Sequence, residues 1–109
     1  MTVFAVVYLF VVKAGRENDF ESAWKDLTLL IYQYEGSLGS RLHRVDSLQY
    51  IAYAQWPDKA TWSKSGSQLP ERAKDLRKKM KDSCERIETL YEMETIEDVL
   101  HGELYHAPT

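Results

Sequence analysis

The chain has 109 residues, of which 44% are hydrophobic and 28% charged, and its formal net charge is -3. This length suits one compact domain, and the composition excludes intrinsic disorder and fibrous structure. The 14 basic residues are outnumbered by 17 acidic residues. A nucleic acid partner is therefore not expected, because the chain offers no large basic surface for a phosphate backbone.

The first apolar run, VFAVVYLFVV over residues 3–12, is rich in β-branched and aromatic residues and predicts a β-strand. It is too short to cross a bilayer, and it has neither a basic flank nor a small-residue cleavage site, so no membrane segment is expected. The single cysteine, Cys84, cannot form an internal disulfide. A reducing compartment is therefore favoured, which predicts a cytoplasmic protein.

The second element is predicted to be an α-helix that opens at Gly15 and ends at Gly36. Its apolar residues recur at steps of three and four and so share one stripe of the helix. They are Phe20, Ala23, Trp24, Leu27, Leu30, Ile31 and Tyr34. Carboxylates near the first turn suit the positive end of the helix dipole.

Two strand-like runs, SRLHRV and LQYIAYAQW, flank the turn-prone residues Asp46 and Ser47 and predict a tight antiparallel hairpin. A short helical piece around Ala60 and Trp62 follows, and a polar loop separates it from the next helix.

The second long helix is predicted to begin near Pro70, because proline suits the first turn of a helix. Its apolar stripe comprises Ala73, Leu76, Met80, Cys84 and Ile87. The run TLYEMETIEDVL, residues 89–100, predicts a final strand. A single domain is expected over residues 1–100, with a C-terminal tail over residues 101–109.

This order of elements predicts an α+β fold of the ferredoxin-like βαββαβ type, with a four-stranded antiparallel sheet and helices on one face. Side chains alternate between the two faces of a strand, and residues 3–12 are hydrophobic at every position. Both faces of the first strand are therefore apolar. Helices cover one face only, and an exposed apolar sheet normally marks an interface. We therefore expect a homodimer in which two such sheets face each other.

Three segments make the chain similar to the antibiotic biosynthesis monooxygenase family of dimeric α+β barrels. They are KAGRENDFESAW at the start of the first helix, EGSLGSRLHR at its end, and YAQWPDKATW, in which a tryptophan closes the third strand. The resemblance covers residues 3–62 and extends more loosely to residue 96. No single segment is diagnostic, and the order and spacing of the three carry the resemblance.

The resemblance implies a pocket between each sheet and its own helices, and a cofactor-independent monooxygenase activity on a small aromatic, quinol-like or polyketide-like compound. A related branch of the fold degrades haem and has an Asn on the first strand together with a Trp and a His on or near the second helical region, of which Trp62 matches only the tryptophan. The first strand here has no Asn, and no His lies between Trp56 and Leu100. Two alternatives stay open: a non-catalytic dimer that binds a small ligand or serves a structural role, and a cyclase or isomerase.

Two residues are candidates for catalysis in such a pocket. His43 can accept or donate a proton near neutral pH, and Arg41 can stabilise an oxyanion. Arg41 and Arg44 point to opposite faces of their strand, and Glu92 and Glu94 are candidate partners for these cations. The alternative is that these side chains are surface charges or form salt bridges at the dimer interface.

The candidate residues for lining the pocket are aromatic or adaptable in shape. They are Tyr8, Trp24, Tyr53, Trp62 and Met80. Trp62 is the candidate for the pocket mouth, whereas core packing is the stronger alternative for Trp24. Cys84 is expected to be a buried, inert thiol, and the alternative is that its basic neighbours, including Lys81 and Arg86, lower its pKa. No spacing of histidines and carboxylates indicates a metal site, and no cofactor is expected.

Overall fold

Four strands and three helices make up the computed structural model, which describes residues 3–100. In chain order they are β1 (Phe4–Val12), α1 (Glu17–Glu35), β2 (Gly39–Arg44), β3 (Gln49–Trp56), α2 (Lys59–Ser63), α3 (Arg72–Asp82) and β4 (Cys84–Glu94). The strands form one antiparallel sheet in the order β2-β3-β1-β4. The predicted ferredoxin-like α+β fold, with its four-stranded antiparallel sheet, is confirmed.

The alternation of side chains along β1 and β3 gives the sheet two different faces. The helix-covered face carries apolar side chains, many of them aromatic, that are buried or half-buried. They are Phe4, Val6, Tyr8, Phe10 and Val12 of β1 and Tyr50, Ala52, Ala54 and Trp56 of β3. The opposite face, called here the outer face, carries the half-buried Val7, Leu9, Val11, Ile51 and Tyr53. The predicted apolar character of both faces is confirmed.

The core under the helices is built mainly from aromatic rings. Phe20 of α1 has no exposed surface and lies between two rings of the sheet, with its ring centroid 5.0 Å from that of Phe10 and 4.9 Å from that of Tyr50. Such tilted ring pairs contribute more than their buried area alone. The core therefore fixes the position of α1 on the sheet.

The first helix closely follows its predicted pattern. It begins at Glu17, two residues after Gly15, and its first turn carries the acidic residues that suit the helix dipole. Gly36 ends it in the left-handed conformation, with φ of 75°, which favours glycine. Leu27 and Leu30 are buried against α3, as the stripe predicts, whereas Tyr34 is exposed.

The hairpin between β2 and β3 is held by a side chain in its turn. The Asp46 Oδ1 atom accepts hydrogen bonds from the backbone N–H groups of Leu48 and Gln49, at 3.0 Å and 2.9 Å. An aspartate that binds the backbone two and three residues ahead is a common means of closing a turn. The predicted hairpin is confirmed.

The predicted boundary between the last helix and the last strand is wrong. The helix ends at Asp82, and Cys84 and Ile87, which were expected on its stripe, lie in β4 opposite Val12 and Phe10. The Ser83 side chain and backbone N–H both donate to the Lys79 carbonyl, which closes the helix. The helical spacing of apolar residues continues to Cys84 and Ile87, past the end of the helix. At these two positions, pairing with β1 determines the conformation instead.

The helices leave β4 largely uncovered. Every residue of this strand after Cys84 is exposed, and β4 lies at one edge of the sheet. Residues 95–100 follow without regular structure and expose Ile96 and Val99. The predicted tail over residues 101–109 lies outside the described residues. Among residues 3–100, no helix is long and apolar enough to cross a membrane.

Candidate functional site

The sequence-predicted site residues lie on two different faces of the sheet. Tyr8, Trp24, Trp62 and Met80 lie on the helix-covered side, where all four are half-buried. Arg41, His43 and Tyr53 lie on the outer face, where Arg41 pairs with Tyr53 and His43 with Ile51 in the β2–β3 register. One subunit therefore does not bring all the predicted residues into one pocket.

Tyr8 occupies the centre of the helix-covered face. It packs against the buried cluster around Phe10 and also against the buried cluster around Val6 and Trp56. The Trp62 Nε1–H group donates a hydrogen bond to the Tyr8 hydroxyl, with a distance of 2.9 Å between the heavy atoms. This bond joins α2 to β1. The hydroxyl accepts from the indole, so its own proton is available for another acceptor.

Aromatic surface surrounds the Tyr8–Trp62 pair. The Trp62 ring centroid lies 5.6 Å from that of Phe4, and the Tyr8 ring centroid lies 6.3 Å from that of Phe10. Trp24 of α1 and Met80 of α3 pack against the same cluster as Tyr8. The pair is thus a polar point within a largely apolar wall.

The electrostatic environment keeps Tyr8 neutral. Burial of the ring raises the pKa of Tyr8, the hydrogen bond from Trp62 opposes this rise, and the negative charge of Glu92 adds to it. The net direction is upward from an ordinary value of 10.0. Tyr8 is therefore a phenol at neutral pH, and its hydroxyl serves as a hydrogen-bond donor.

An ion pair lies beside Tyr8 at the uncovered edge of the sheet. The Lys59 Nζ atom of α2 lies 3.5 Å from the Glu92 Oε1 atom of β4. Glu92 is opposite Val6 in the β1–β4 register and so points to the helix-covered face. The four residues Tyr8, Trp62, Lys59 and Glu92 are called here the helix-face site.

Lys59 was not predicted as a site residue, and Glu92 was given a different role. Glu92 and Glu94 were candidate partners of the β2 cations, but within one subunit Arg44 pairs with Glu21 at 3.0 Å, and Glu92 pairs with Lys59. The reason is topological, because β2 and β4 lie at opposite edges of the sheet. The signal available in the sequence was the spacing of Lys59 and Trp62, which places them on one side of a short helix.

The outer face carries a shallow groove. It has a volume of about 320 Å³ and is lined by Val3, Tyr53, Gln55, Thr95, Asp98 and Leu100, among others. Arg41 lies beside this groove as the β2 partner of Tyr53, and both Arg41 and His43 are exposed. The catalytic roles of His43 and Arg41 therefore remain predictions for a ligand bound on this face.

Cys84 is buried and is unsuited to nucleophilic chemistry. Burial raises its pKa from 9.0 to about 11, and the positive charge of Lys13 offsets only part of this effect. The buried, inert thiol favoured by the sequence is therefore confirmed, and the alternative of a pKa lowered by basic neighbours is not, because burial of the thiol has the larger effect. Within residues 3–100, no group of histidine, cysteine and carboxylate side chains is arranged to hold a metal ion.

The chain is similar to known proteins in its three-dimensional structure but not detectably in its sequence. No protein-family model matches the sequence, and no curated protein matches it either. Solved structures do match. A protein of Bordetella bronchiseptica, provisionally named an antibiotic biosynthesis monooxygenase, has a TM-score of 0.67 at 18% identity, and the match covers 91% of this chain and 100% of that one.

A protein of Nitrosomonas europaea with the same provisional name has a TM-score of 0.68 at 11% identity, covering 81% of this chain and 86% of that one. SnoaB, a cofactor-independent oxygenase from Streptomyces nogalater, has a TM-score of 0.66 at 16% identity, covering 94% of this chain and 98% of that one. The chain has the fold of the antibiotic biosynthesis monooxygenases. The resemblance expected from the sequence is thus confirmed for the fold.

Within this monooxygenase fold, the uncovered β4 is what makes the helix-face site accessible. Tyr8 and Trp62 are half-buried, and the Glu92 side chain is 41% exposed. The β4 edge beside Lys59 and Glu92 is therefore the exposed side of the helix-face site.

Proposed function

We propose that the protein is a cofactor-independent monooxygenase that oxidises a small aromatic, quinol-like or polyketide-like compound at the helix-face site. The observation that carries this proposal is the Tyr8–Trp62 pair, a hydrogen-bonded polar point within an aromatic wall. A flat apolar wall with one polar group suits a planar ligand that bears an oxygen atom. The likeness in fold to SnoaB, a cofactor-independent oxygenase, supports this class of reaction.

The proposed reaction begins when the ligand loses a proton, which leaves an electron-rich anion that can pass electrons to molecular oxygen. With an anthrone-like ligand, the methylene carbon gives up both hydrogens and becomes a carbonyl carbon. One atom of O2 enters that carbonyl, and the other leaves as water with the two hydrogens. The ligand supplies all the electrons, so no separate reductant is required.

Tyr8 stabilises the anion in this scheme. Its neutral hydroxyl donates a hydrogen bond to the ligand oxygen on which negative charge develops, while the bond from Trp62 fixes its orientation. A fixed donor aimed at a developing oxyanion lowers the barrier, because it needs no reorganisation during the reaction.

The proposal includes a homodimer formed through the outer face. The half-buried aliphatic side chains of this face, among them Val7, Leu9 and Val11, are a continuous apolar surface on the central strand. Association about a two-fold axis is the commonest way to cover a surface of this kind. The buried free thiol of Cys84 supports a reducing compartment, and we propose the cytoplasm as the location.

The first test is oxygen uptake by the purified, metal-free protein with a panel of quinols and anthrone. Uptake that requires the protein is expected. The substitution Tyr8→Phe is expected to lower kcat about a hundredfold, since loss of one oxyanion donor costs about that much. Tyr32→Phe, at an exposed position on α1, is the matched control and leaves the rate unchanged.

The substitution His43→Ala tests the rival location on the outer face. If His43 accepts the proton, as the sequence predicts, turnover falls strongly while the dimer remains intact. Unchanged turnover removes His43 from the mechanism and leaves the helix-face site as the location of the chemistry.

Ligand-induced thermal shifts on the same panel separate the alternative functions. Stabilisation of the protein by a quinol or by anthrone, without oxygen uptake, would contradict the oxygenase and favour a binding module or a redox-neutral cyclase or isomerase. Absence of both uptake and stabilisation across the panel would contradict the proposed ligand class.

A further inference from the structure

Glu92 is a carboxylate placed beside the oxyanion donor of the helix-face site. It stands opposite Val6 on the neighbouring strand, and Tyr8 is two residues further along β1 on the same face. Diagonal neighbours in a regular sheet are about 7–8 Å apart. Here the β1–β4 register shifts between Val7 and Tyr8, while Glu92 and Tyr8 stay on the same face of adjacent strands. The negative charge of Glu92 adds to the raised pKa of Tyr8, after burial and the opposing hydrogen bond from Trp62, which is consistent with this placement.

Two contacts from α2 hold this arrangement together. Lys59 and Trp62 lie one helical turn apart, so both reach down to the sheet from the same side of the helix. The Lys59 ammonium lies against the Glu92 carboxylate on β4, and the Trp62 indole binds the Tyr8 hydroxyl on β1. One short helix thus positions both the acidic group and the hydrogen-bond donor.

We propose that Glu92 is the proton acceptor of the helix-face site and that Lys59 positions its carboxylate. This inference rests on the proposed function, and it assigns to Glu92 the step that the sequence assigned to His43. The acceptor and the oxyanion donor then stand on adjacent strands of one subunit, whereas His43 lies on the other face of the sheet.

The step is a simple proton transfer. The acidic C–H bond of an anthrone-like methylene, or the O–H bond of a quinol, breaks, and a new O–H bond forms on the Glu92 carboxylate. The electron pair stays on the ligand as an enolate or phenolate, whose oxygen accepts the hydrogen bond from Tyr8. Oxygen then reacts with this anion, and the proton held by Glu92 leaves in the water that is formed.

Anaerobic mixing with anthrone isolates this step, because the anthrone anion absorbs visible light and cannot be consumed without oxygen. The wild-type protein is expected to generate the anion. The substitution Glu92→Gln keeps the size of the side chain and is expected to slow anion formation about a hundredfold or more, as loss of a general base does. Glu94→Gln, one position further along the same face, is the matched control.

Binding of anthraquinone, which has no acidic hydrogen, distinguishes a lost base from a damaged site. Glu92→Gln should bind it as tightly as the wild type, and Lys59→Met should slow anion formation less than Glu92→Gln does. The inference is overturned if Glu92→Gln forms the anion at the wild-type rate, even when oxygen uptake proves that the protein is an oxygenase. Anion formation without oxygen uptake would retain Glu92 and reject the oxygenase, and absence of both would reject the two together.

Discussion

The two faces of this one sheet bury apolar surface by different means. On the helix-covered face, aromatic rings interlock with the side chains of α1, and Phe20 and Val6 have no exposed surface. On the outer face, the aliphatic residues Val7 and Leu9 of the same strand stay half-buried, because no helix or strand within residues 3–100 covers them. Charged residues such as Arg41 border this aliphatic surface.

The difference in side-chain type follows from the shape of the packing partner, which is a layer of helices on one face and, in the proposed dimer, a second sheet on the other. Helices leave an uneven space above a sheet, and large rings fill it at the density of a protein core. A second sheet would lie flat at about 10 Å, a spacing that suits side chains of the size of valine and leucine. The alternation along β1 therefore encodes a complete core on one face and an apolar surface, half of the proposed dimer interface, on the other.

The largest effect is expected from the helix-covered face. The substitution Phe20→Ala removes the ring that lies between Phe10 and Tyr50, and it should lower the free energy of unfolding by about 3–5 kcal/mol, from lost burial and the remaining cavity. Urea denaturation measures this loss. Phe20→Leu retains most of the volume and should cost much less, and equal losses for the two variants would contradict a tightly packed core.

The outer face should respond through association instead of folding. The substitution Leu9→Glu places a charge at the centre of the proposed interface, and it should raise the dimer Kd at least about a hundredfold, or about 2.8 kcal/mol, because a buried unpaired charge is costly. Sedimentation measures Kd.

The matched control is Leu29→Glu, on an exposed position of α1. This variant should keep the wild-type Kd and the wild-type circular dichroism spectrum. If the wild-type protein is monomeric at micromolar concentration, the outer face is not a dimer interface, and the proposed difference between the two faces is wrong.

Alkaline pH should weaken the helix-covered core. The pKa of Cys84 is raised to about 11 in the folded protein, so its contribution to stability is complete below the ordinary value of 9.0 and is lost as the pH rises through 11. The loss amounts to at most about 3 kcal/mol. In Cys84→Ala, unfolding free energies measured between these two pH values should fall less steeply than in the wild type, and identical slopes would contradict a buried, neutral thiol.

Much of the fold could be predicted because its signals are local. Three such signals depend only on residues nearby in the sequence, and each has its expected position in the structure. They are the helix stripe that contains Phe20 and Leu27, the capping glycine Gly36, and the turn aspartate Asp46. The end of α3 could not be predicted from spacing, because Cys84 continues the apolar period of the helix while it also pairs with Val12 in the sheet. Pairing with a distant strand is a tertiary effect that overrides local preference.

The site was less predictable, since it depends on which face the helices cover. Because side chains alternate along a strand, His43 and Leu42 must point to opposite faces of the sheet. The alternation does not show which of the two faces the helices cover. Leu42 packs against the core and His43 is exposed. Trp62 was predicted as a site residue from its aromatic character. Lys59 and Glu92 cannot be told from ordinary surface charges in the sequence, because they come together only when α2 packs over the β1–β4 edge.

The smallest effect is expected where the helix-covered face meets the edge strand β2. The Glu21 carboxylate accepts hydrogen bonds from the Tyr50 hydroxyl at 2.6 Å and from the Arg44 guanidinium at 3.0 Å. The pKa of Tyr50 is raised, first by burial and then by the bond to Glu21, while Arg44 opposes the rise. Glu21→Gln should therefore lower the pKa of Tyr50 and Arg44→Gln should raise it. An alkaline absorbance titration, with Tyr50→Phe to identify the transition, measures both shifts. An unchanged transition in both variants would show that burial alone controls this tyrosine.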